Sequence, residues 1–169
     1  MEPIEIKPQM AKLRRNHAVD SFDCGSEALN TFLRRYAFTN QSSGTAHTYV
    51  AEIGDSVAGY YSLTVGQVEY SGAAERLVKG IARHPVPVML LARLGVDLTW
   101  QGKRLGSALL SDALRRTSQA ADIAGIRALV VHAKDEQAKA FYEHFDFAAL
   151  PLDPLHMFLL IKDIRRLFG

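Results

Sequence analysis

The residues best placed for chemistry lie in the stretch Gln101-Gly-Lys-Arg-Leu-Gly-Ser107. It follows an apolar, strand-like run, Val88-Met-Leu-Leu-Ala-Arg-Leu-Gly-Val96, and it opens a helical pattern. A strand, a glycine-containing turn and a helix N-terminus in that order make a site for a phosphate-bearing ligand. Backbone N–H groups of the turn point one way, and the first helical turn leaves its own N–H groups unpaired. Lys103 and Arg104 put two positive charges at the same place. The pattern predicts a charged cofactor held at this turn.

Other reactive side chains carry less. Cys24 reads as a small buried residue. His132 ends a buried strand and reads as a satisfied structural histidine. His47, His84, His144 and His156 show no metal spacing, and with a single cysteine no metal site is expected. Asp135 reads as a helix cap first and a cofactor neighbour second, and Glu136 as a first-turn carboxylate favoured by the helix dipole.

The elements that must position these residues follow from periodicity. Ile4-Glu-Ile alternates as a short first strand. From Ser26, a plausible N-cap, Ala28, Leu29, Phe32, Leu33, Tyr36 and Ala37 recur at helical spacing on one face. Thr45–Ile53 and Val57–Val65 read as an antiparallel hairpin, and Leu77–Ala82 as a short helix ended by His84-Pro-Val-Pro87. Val88–Asp97 reads as a buried strand. In the helix Ser107–Ile123, Leu110, Ala113, Leu114, Thr117 and Ala121 face one way and Ser111, Arg115, Ser118 and Asp122 the other. Ala128–Val131 is a short buried strand, parallel to the earlier one because a helix joins them. A helix capped by Asp135 turns Ala138, Phe141, Tyr142 and Phe145 inward. Leu155–Ile161 is the last strand, and Asp163–Phe168 an amphipathic tail. With no repeat or linker, the order describes one α/β domain over residues 1–169.

Composition narrows the class. The chain is 48% hydrophobic and 22% charged, ordinary for a soluble protein, and its net charge of +2 is too small to argue nucleic-acid binding. The cations are nonetheless clustered, at Lys12/Arg14/Arg15, Arg34/Arg35, Lys103/Arg104, Arg115/Arg116 and Arg165/Arg166, each by default a solvated face. The lone Cys24 excludes an intrachain disulfide and fits a reducing compartment. The N-terminus has no signal-peptide pattern, and no apolar run reaches the roughly 18 residues of a membrane span. The expected location is cytoplasmic.

Gln101-x-x-Arg-Leu-Gly106 resembles the cofactor loop of the GNAT N-acetyltransferases, whose usual form is Gln/Arg-x-x-Gly-x-Gly/Ala. Asp135-Glu-Gln-Ala-Lys-Ala-Phe-Tyr-Glu-His-Phe-Asp-Phe147 resembles their second motif, Asn-x-x-Ala-x-x-x-Tyr-x-x-x-Gly-Phe, at the right separation. Phe22-Asp-Cys-Gly25, Leu29-Asn30, Phe32-Leu33, Gly59-Tyr-Tyr-Ser-Leu63, the strand Pro87–Asp97 and Val131-His-Ala-Lys-Asp-Glu136 are similar to the GNAT toxins of type II toxin–antitoxin systems. Two positions depart from the pattern. Arg104 replaces a glycine, where it either crowds the pyrophosphate or adds a charge-assisted contact. Asp146 replaces the glycine of Gly-Phe, a milder change because Asp tolerates left-handed backbone.

The resemblance implies a central mixed sheet with a parallel, splayed strand pair flanked by helices, and acetyl-CoA as acetyl donor. Backbone groups of Leu94, Gly95 and Val96 would hold the pantetheine arm, with the N–H of Leu94 or a neighbour at the oxyanion. Gln101, Gly102, Lys103, Arg104, Leu105, Gly106 and Ser107 would hold the pyrophosphate, with Asp135 nearby. Tyr142 would be the general acid, since a phenol with a reference pKa of about 10 can protonate a departing thiolate. No general base stands out. An α-amino group titrates at about 7.7–8.0, and lower when its carboxyl is esterified, so aminoacyl esters suit this site better than lysines.

The reading is therefore a toxin acetylating the α-amino group of aminoacyl-tRNA and blocking translation. Arg34, Arg35, Arg76, Lys79 and Arg83 are the candidate contacts to the tRNA backbone. The resemblance further implies a ribbon-helix-helix antitoxin, repression of the operon through operator DNA bound only by the toxin–antitoxin complex, and a homodimer. Two alternatives stand beside it: a GNAT enzyme acting on a protein N-terminus or small-molecule amine, and a binding module whose cofactor loop Arg104 has impaired.

Overall fold

The computed structural model describes residues 7–69 and 73–168. The expected strand at Ile4–Ile6 lies outside them. The order is β1 (Gln9–Lys12), α1 (Glu27–Thr31), a π turn (Phe32–Tyr36), α2 (Ala37–Ser42), β2 (His47–Ile53), β3 (Ser56–Val68), α3 (Glu75–Val78), β4 (Val86–Val96), a 3-10 turn (Leu98–Trp100), α4 (Leu105–Ala120), β5 (Ala128–His132), α5 (Glu136–His144), β6 (Ala148–Leu150), β7 (Asp153–Leu160) and α6 (Ile161–Leu167). The strands form one seven-stranded mixed sheet in the order β1-β2-β3-β4-β5-β7-β6. The pair β4–β5 is parallel, as the intervening helix requires, whereas β2–β3 and β5–β7 are antiparallel. The short strands β1 and β6 lack a strong alternating signal and were not expected from periodicity.

The described residues fall into two compact units, Met1–Leu63 with Arg93–Asp112, and Thr64–Ala92 with Ala113–Gly169. Each has its own apolar core. In the first, Phe22, Phe32, Leu33, Ala37, Val50, Val57 and Tyr60 pack together. In the second, Leu77, Val86, Val88, Ala128, Val130, Phe158 and Leu160 do so.

The first helical run starts where expected, with the Ser26 side chain accepting from the Leu29 N–H. Its inner face differs from the heptad-like expectation. The π turn hands the Ala37 N–H to the Phe32 carbonyl, one residue further than an α-helix would. Ala37 is thereby fully buried under Phe32, and Tyr36, expected inside, is rotated out and 53% exposed. At the other end Asn30 is buried and Ala28 exposed, because Asn30 has polar work to do inside the fold.

β3 shows why a strand can lose its alternation. Val57 to Leu63 are buried without interruption, because both faces are covered. On one face Tyr60 packs edge-on to Phe22, its ring 5.5 Å away, and donates to the Leu29 carbonyl at 2.8 Å. On the other, Tyr61 donates to the buried Asp112 of α4 at 2.5 Å. Gly59, on this second face, allows α4 to approach. A Cβ there would stand 2.8 Å from Leu109 Cδ1 and 3.1 Å from the Gly95 carbonyl of β4. Leu109 can turn aside, but the strand backbone cannot. Gly59→Ala is therefore expected to destabilise the protein by about 1–3 kcal/mol, read as a lower urea midpoint with unchanged slope.

Candidate active site

The site residues of the first unit are arranged by the way β4 ends. β4 pairs with β5 at Met89, Leu90 and Leu91, opposite Leu129, Val130 and Val131. It then runs on through Leu94, Gly95 and Val96. Gly95 is buried, and a Cβ on it would stand 3.3 Å from Cys24 Sγ. Asp97 then turns the chain. Its N–H donates to the Ala58 carbonyl at 2.8 Å, and its Oδ1 accepts from the Thr99 N–H at 2.9 Å, starting the 3-10 turn. Gln101 closes this turn, its Nε2 donating to the Val96 carbonyl at 2.9 Å and to the Cys24 carbonyl at 3.1 Å.

The next residues form the cradle. Gly102 sits at φ +78° with nothing within 4 Å of where a Cβ would be, so its backbone is open to an approaching ligand. Arg104 also lies in the left-handed region, at φ +65°. Its carbonyl accepts from the Ala108 N–H at 3.2 Å and starts α4. Gly102, Lys103 and Arg104 are exposed, and the Lys103 ammonium sits 4.9 Å from the Trp100 ring centroid. Gly106 and Ser107 are half-buried. Leu105 is different: its side chain is buried and lies toward Gly59, leaving only its backbone for a ligand. Open backbone donors, a helix N-terminus and two cations in one turn fit a pyrophosphate.

In the second unit, Asp135 caps α5, its Oδ1 accepting from the Ala138 N–H at 2.8 Å. Tyr142 is only 7% exposed, with Phe141 and Phe147 edge-on to its ring at 5.1 and 5.5 Å. A phenol is protonated at neutral pH in any case, and burial alone pushes this one further up, to about 12. Asp146 takes the left-handed conformation, at φ +69°, that the missing glycine would have supplied. His132 stands at the exposed end of β5. Its side chain is 64% exposed, with Nε2 3.5 Å from Asp153 Oδ2 and its ring stacked 5.3 Å from His156. Burial, helped by His132, lowers the pKa of His156, and Asp153 opposes them.

The cationic candidates divide. Arg34 is half-buried; its guanidinium donates to the Phe22 carbonyl and its Nε is buried without a partner. It holds the fold and presents little charge outward. Arg35, Arg76, Lys79 and Arg83 are exposed, although Arg76 also pairs with Asp163 at 2.8 Å. The Lys79 carbonyl accepts from Arg127, which ties down the end of α3. Residues that periodicity passed over include Asp97, Tyr60 and Arg93, whose guanidinium stacks 3.6 Å from the Phe32 centroid. Asp97 had a legible signal, an Asx turn at a strand end; Arg93 had only its oddity as a cation in an apolar strand. Among the described residues no group of three or more His, Cys, Asp or Glu could hold a metal, and no helix is long and apolar enough to cross a membrane.

Residues 44–149 match the family of acetyltransferase (GNAT) domains. The chain is 46% identical over 151 residues to a tRNA-acetylating toxin of Mycobacterium tuberculosis, covering 89% of this chain and 90% of that protein. The fold superposes on AtaT complexed with acetyl-methionyl-tRNAfMet with a TM-score of 0.88 at 27% identity, over 96% of this chain and 99% of the other. A tyrosine-to-phenylalanine mutant of AtaT bound to the C-terminus of the antitoxin AtaR and acetyl-CoA gives 0.82 at 27% identity, covering 96% and 99%. The KacTA–DNA complex gives 0.81 at 30% identity, covering 96% and 98%.

The turn carries a removable strain. A left-handed L-residue costs roughly 1–2 kcal/mol, whereas introducing glycine gives back roughly 0.5–1 kcal/mol through the unfolded chain. Arg104→Gly is expected to stabilise the protein by roughly 0.5–1 kcal/mol in urea unfolding. An unchanged or lower midpoint would mean that the Arg104 side chain makes a compensating contact.

Proposed function

The chain belongs to the GNAT acetyltransferases, and we propose that it is a toxin that moves an acetyl group from acetyl-CoA to the α-amino group of aminoacyl-tRNA and so blocks translation. The observation that carries this reading is the 46% identity, over nearly the whole of both chains, to a tRNA-acetylating toxin. Residues 1–169 act as one catalytic domain, in the cytoplasm, where charged tRNA and acetyl-CoA meet.

Each part of the chemistry has a residue. The exposed donors of Gly102, Lys103 and Arg104, with the backbone of Gln101, Leu105, Gly106 and Ser107, hold the pyrophosphate of acetyl-CoA, and Asp135 stands beside the cofactor. Leu94, Gly95 and Val96 offer β4 backbone groups to the pantetheine arm, and an N–H there stabilises the charge that develops on the carbonyl oxygen. Acetyl-CoA supplies an activated acyl group and a thiolate that must leave. Tyr142 donates the proton that lets it leave, a role suited to a phenol that is neutral near pH 7 and that burial keeps so to higher pH. No strong base is required, because an esterified α-amine is already substantially neutral near pH 7.

Arg35, Arg76, Lys79 and Arg83 meet the tRNA backbone. An antitoxin neutralises the enzyme, and we assign it a ribbon-helix-helix DNA-binding part and a tail that covers the active site; the complex, not the toxin alone, binds operator DNA and represses the operon. The toxin itself is a homodimer.

Radiolabelled acetyl-CoA with total tRNA, once aminoacylated and once deacylated, tests the reaction. Label is expected in the aminoacylated pool only, and label in neither would overturn the assignment. Tyr142→Phe should lower kcat by a factor on the order of 10²–10⁴. With a phenol at about 12, kcat/KM should rise as the acceptor amine loses its proton and then stay flat to about pH 10. A fall between pH 8 and 10 would remove Tyr142 as the acid.

Charge reversal at Arg35, Lys79 or Arg83 should raise KM for tRNA and reduce the salt slope by about one per lost phosphate contact, with acetyl-CoA binding unchanged. Unaltered tRNA kinetics would place the tRNA elsewhere.

A further inference from the structure

The segment Phe22–Gly25 belongs to no helix or strand, yet its backbone is held at every residue. The Phe22 carbonyl accepts from Arg34. The Asp23 N–H donates to Asp97 Oδ2 at 3.1 Å, and its carbonyl accepts from the Leu98 N–H at 2.8 Å. The Cys24 N–H donates to Asn30 Oδ1 at 2.9 Å, and its carbonyl accepts from Gln101 at 3.1 Å. The Gly25 N–H donates to Asp23 Oδ1 at 2.9 Å, which also accepts from Asn30 Nδ2 at 2.9 Å. Three of these ties, through Asp97, Leu98 and Gln101, run to the turn that follows β4.

The segment's location gives this a consequence. Cys24 and Leu29 lie against Gly95, with Cys24 Sγ 3.3 Å and Leu29 Cδ1 3.6 Å from where a Gly95 Cβ would stand. Gly95 is in the stretch of β4 assigned above to the acetyl-bearing arm. Gln101 therefore sits at a junction. Its backbone opens the pyrophosphate cradle, and its side-chain amide spends both N–H donors on protein carbonyls, one on β4 and one on this segment.

We propose that Gln101 is a positioning residue: its amide clamps Phe22–Gly25 onto the end of β4, so that the cofactor turn fixes the side of β4 against which the acceptor amine is presented. The side chain is not itself a ligand of the cofactor. Filling the cradle restrains Gln101, and with it the segment packed on Gly95. The kinetic part of this inference rests on the acetyl-transfer reading; the structural part does not.

Gln101→Met keeps the length of the side chain and removes both donors, whereas Gln101→Arg keeps at least two N–H donors. For the Met variant, kcat on aminoacyl-tRNA at saturating acetyl-CoA should fall by on the order of tenfold to a hundredfold. The Kd for acetyl-CoA, measured by calorimetry, should move less than about threefold. Amides of Cys24, Gly25 and Leu98 should exchange about tenfold faster, and acetyl-CoA should no longer slow them. The Arg variant should restore kcat and protection. A Kd weakened about tenfold with kcat unchanged would make the side chain a cofactor ligand and overturn the proposal, as would unchanged exchange and kinetics. If the Met variant does not fold, Gln101→Asn, which keeps the donors but is too short to reach both carbonyls, carries the same test. Should wild type fail to acetylate aminoacyl-tRNA, the functional reading falls, while the exchange and acetyl-CoA binding results still decide the clamp.

Discussion

One side-chain amide, that of Gln101, ties the end of β4 to a segment far away in the chain. The Val96 carbonyl of β4 and the Cys24 carbonyl of the irregular segment both accept hydrogen bonds from the Gln101 side chain. The chain must turn sharply after Val96 for the amide to reach back, and Asp97 makes the turn with its own carboxylate. The cradle, the first turn of α4 and the packing of Cys24 on Gly95 all inherit their places from this junction.

The cradle itself trades backbone comfort for charge. Two of its residues, Gly102 and Arg104, are left-handed, and only the first is a glycine. A glycine at the second position would relax the turn but remove one of its two exposed cations. A left-handed non-glycine residue also stands at the end of α5, where Asp146 has φ +69°. Asp tolerates that region through its short polar side chain; Arg has no such help, so the strain is the greater at Arg104.

Tyr142 is walled by Phe141 and Phe147, and burial alone raises its phenol from the usual value to about 12. The exposed cations Arg35, Arg76, Lys79 and Arg83 lie outside this aromatic enclosure, where a cation would be desolvated at high cost.

Local chemistry in the sequence was enough to locate the glycine-containing turn before α4, the caps at Ser26 and Asp135 and the parallel strand pair, while Tyr142 was singled out by its place in the motif. The first three depend on neighbours a few residues away: a glycine that frees φ, a side-chain oxygen that reaches the next turn, an apolar run flanking a helix. Periodicity failed where long-range contacts overrode it. Tyr36 is outside because a π turn shifts the helical register, and Asn30 is inside because Asp23 and Cys24 need its amide. Arg34 reads as a free cation until the fold brings the Phe22 carbonyl to it, and it is β7 that places Asp153 and His156 beside His132 at the surface. The motif could say that Gln101 begins a cofactor loop. That its amide faces two carbonyls, one of them 77 positions earlier in the chain, was decided by the tertiary structure alone, because such a bond depends on which distant backbone groups the fold brings within reach.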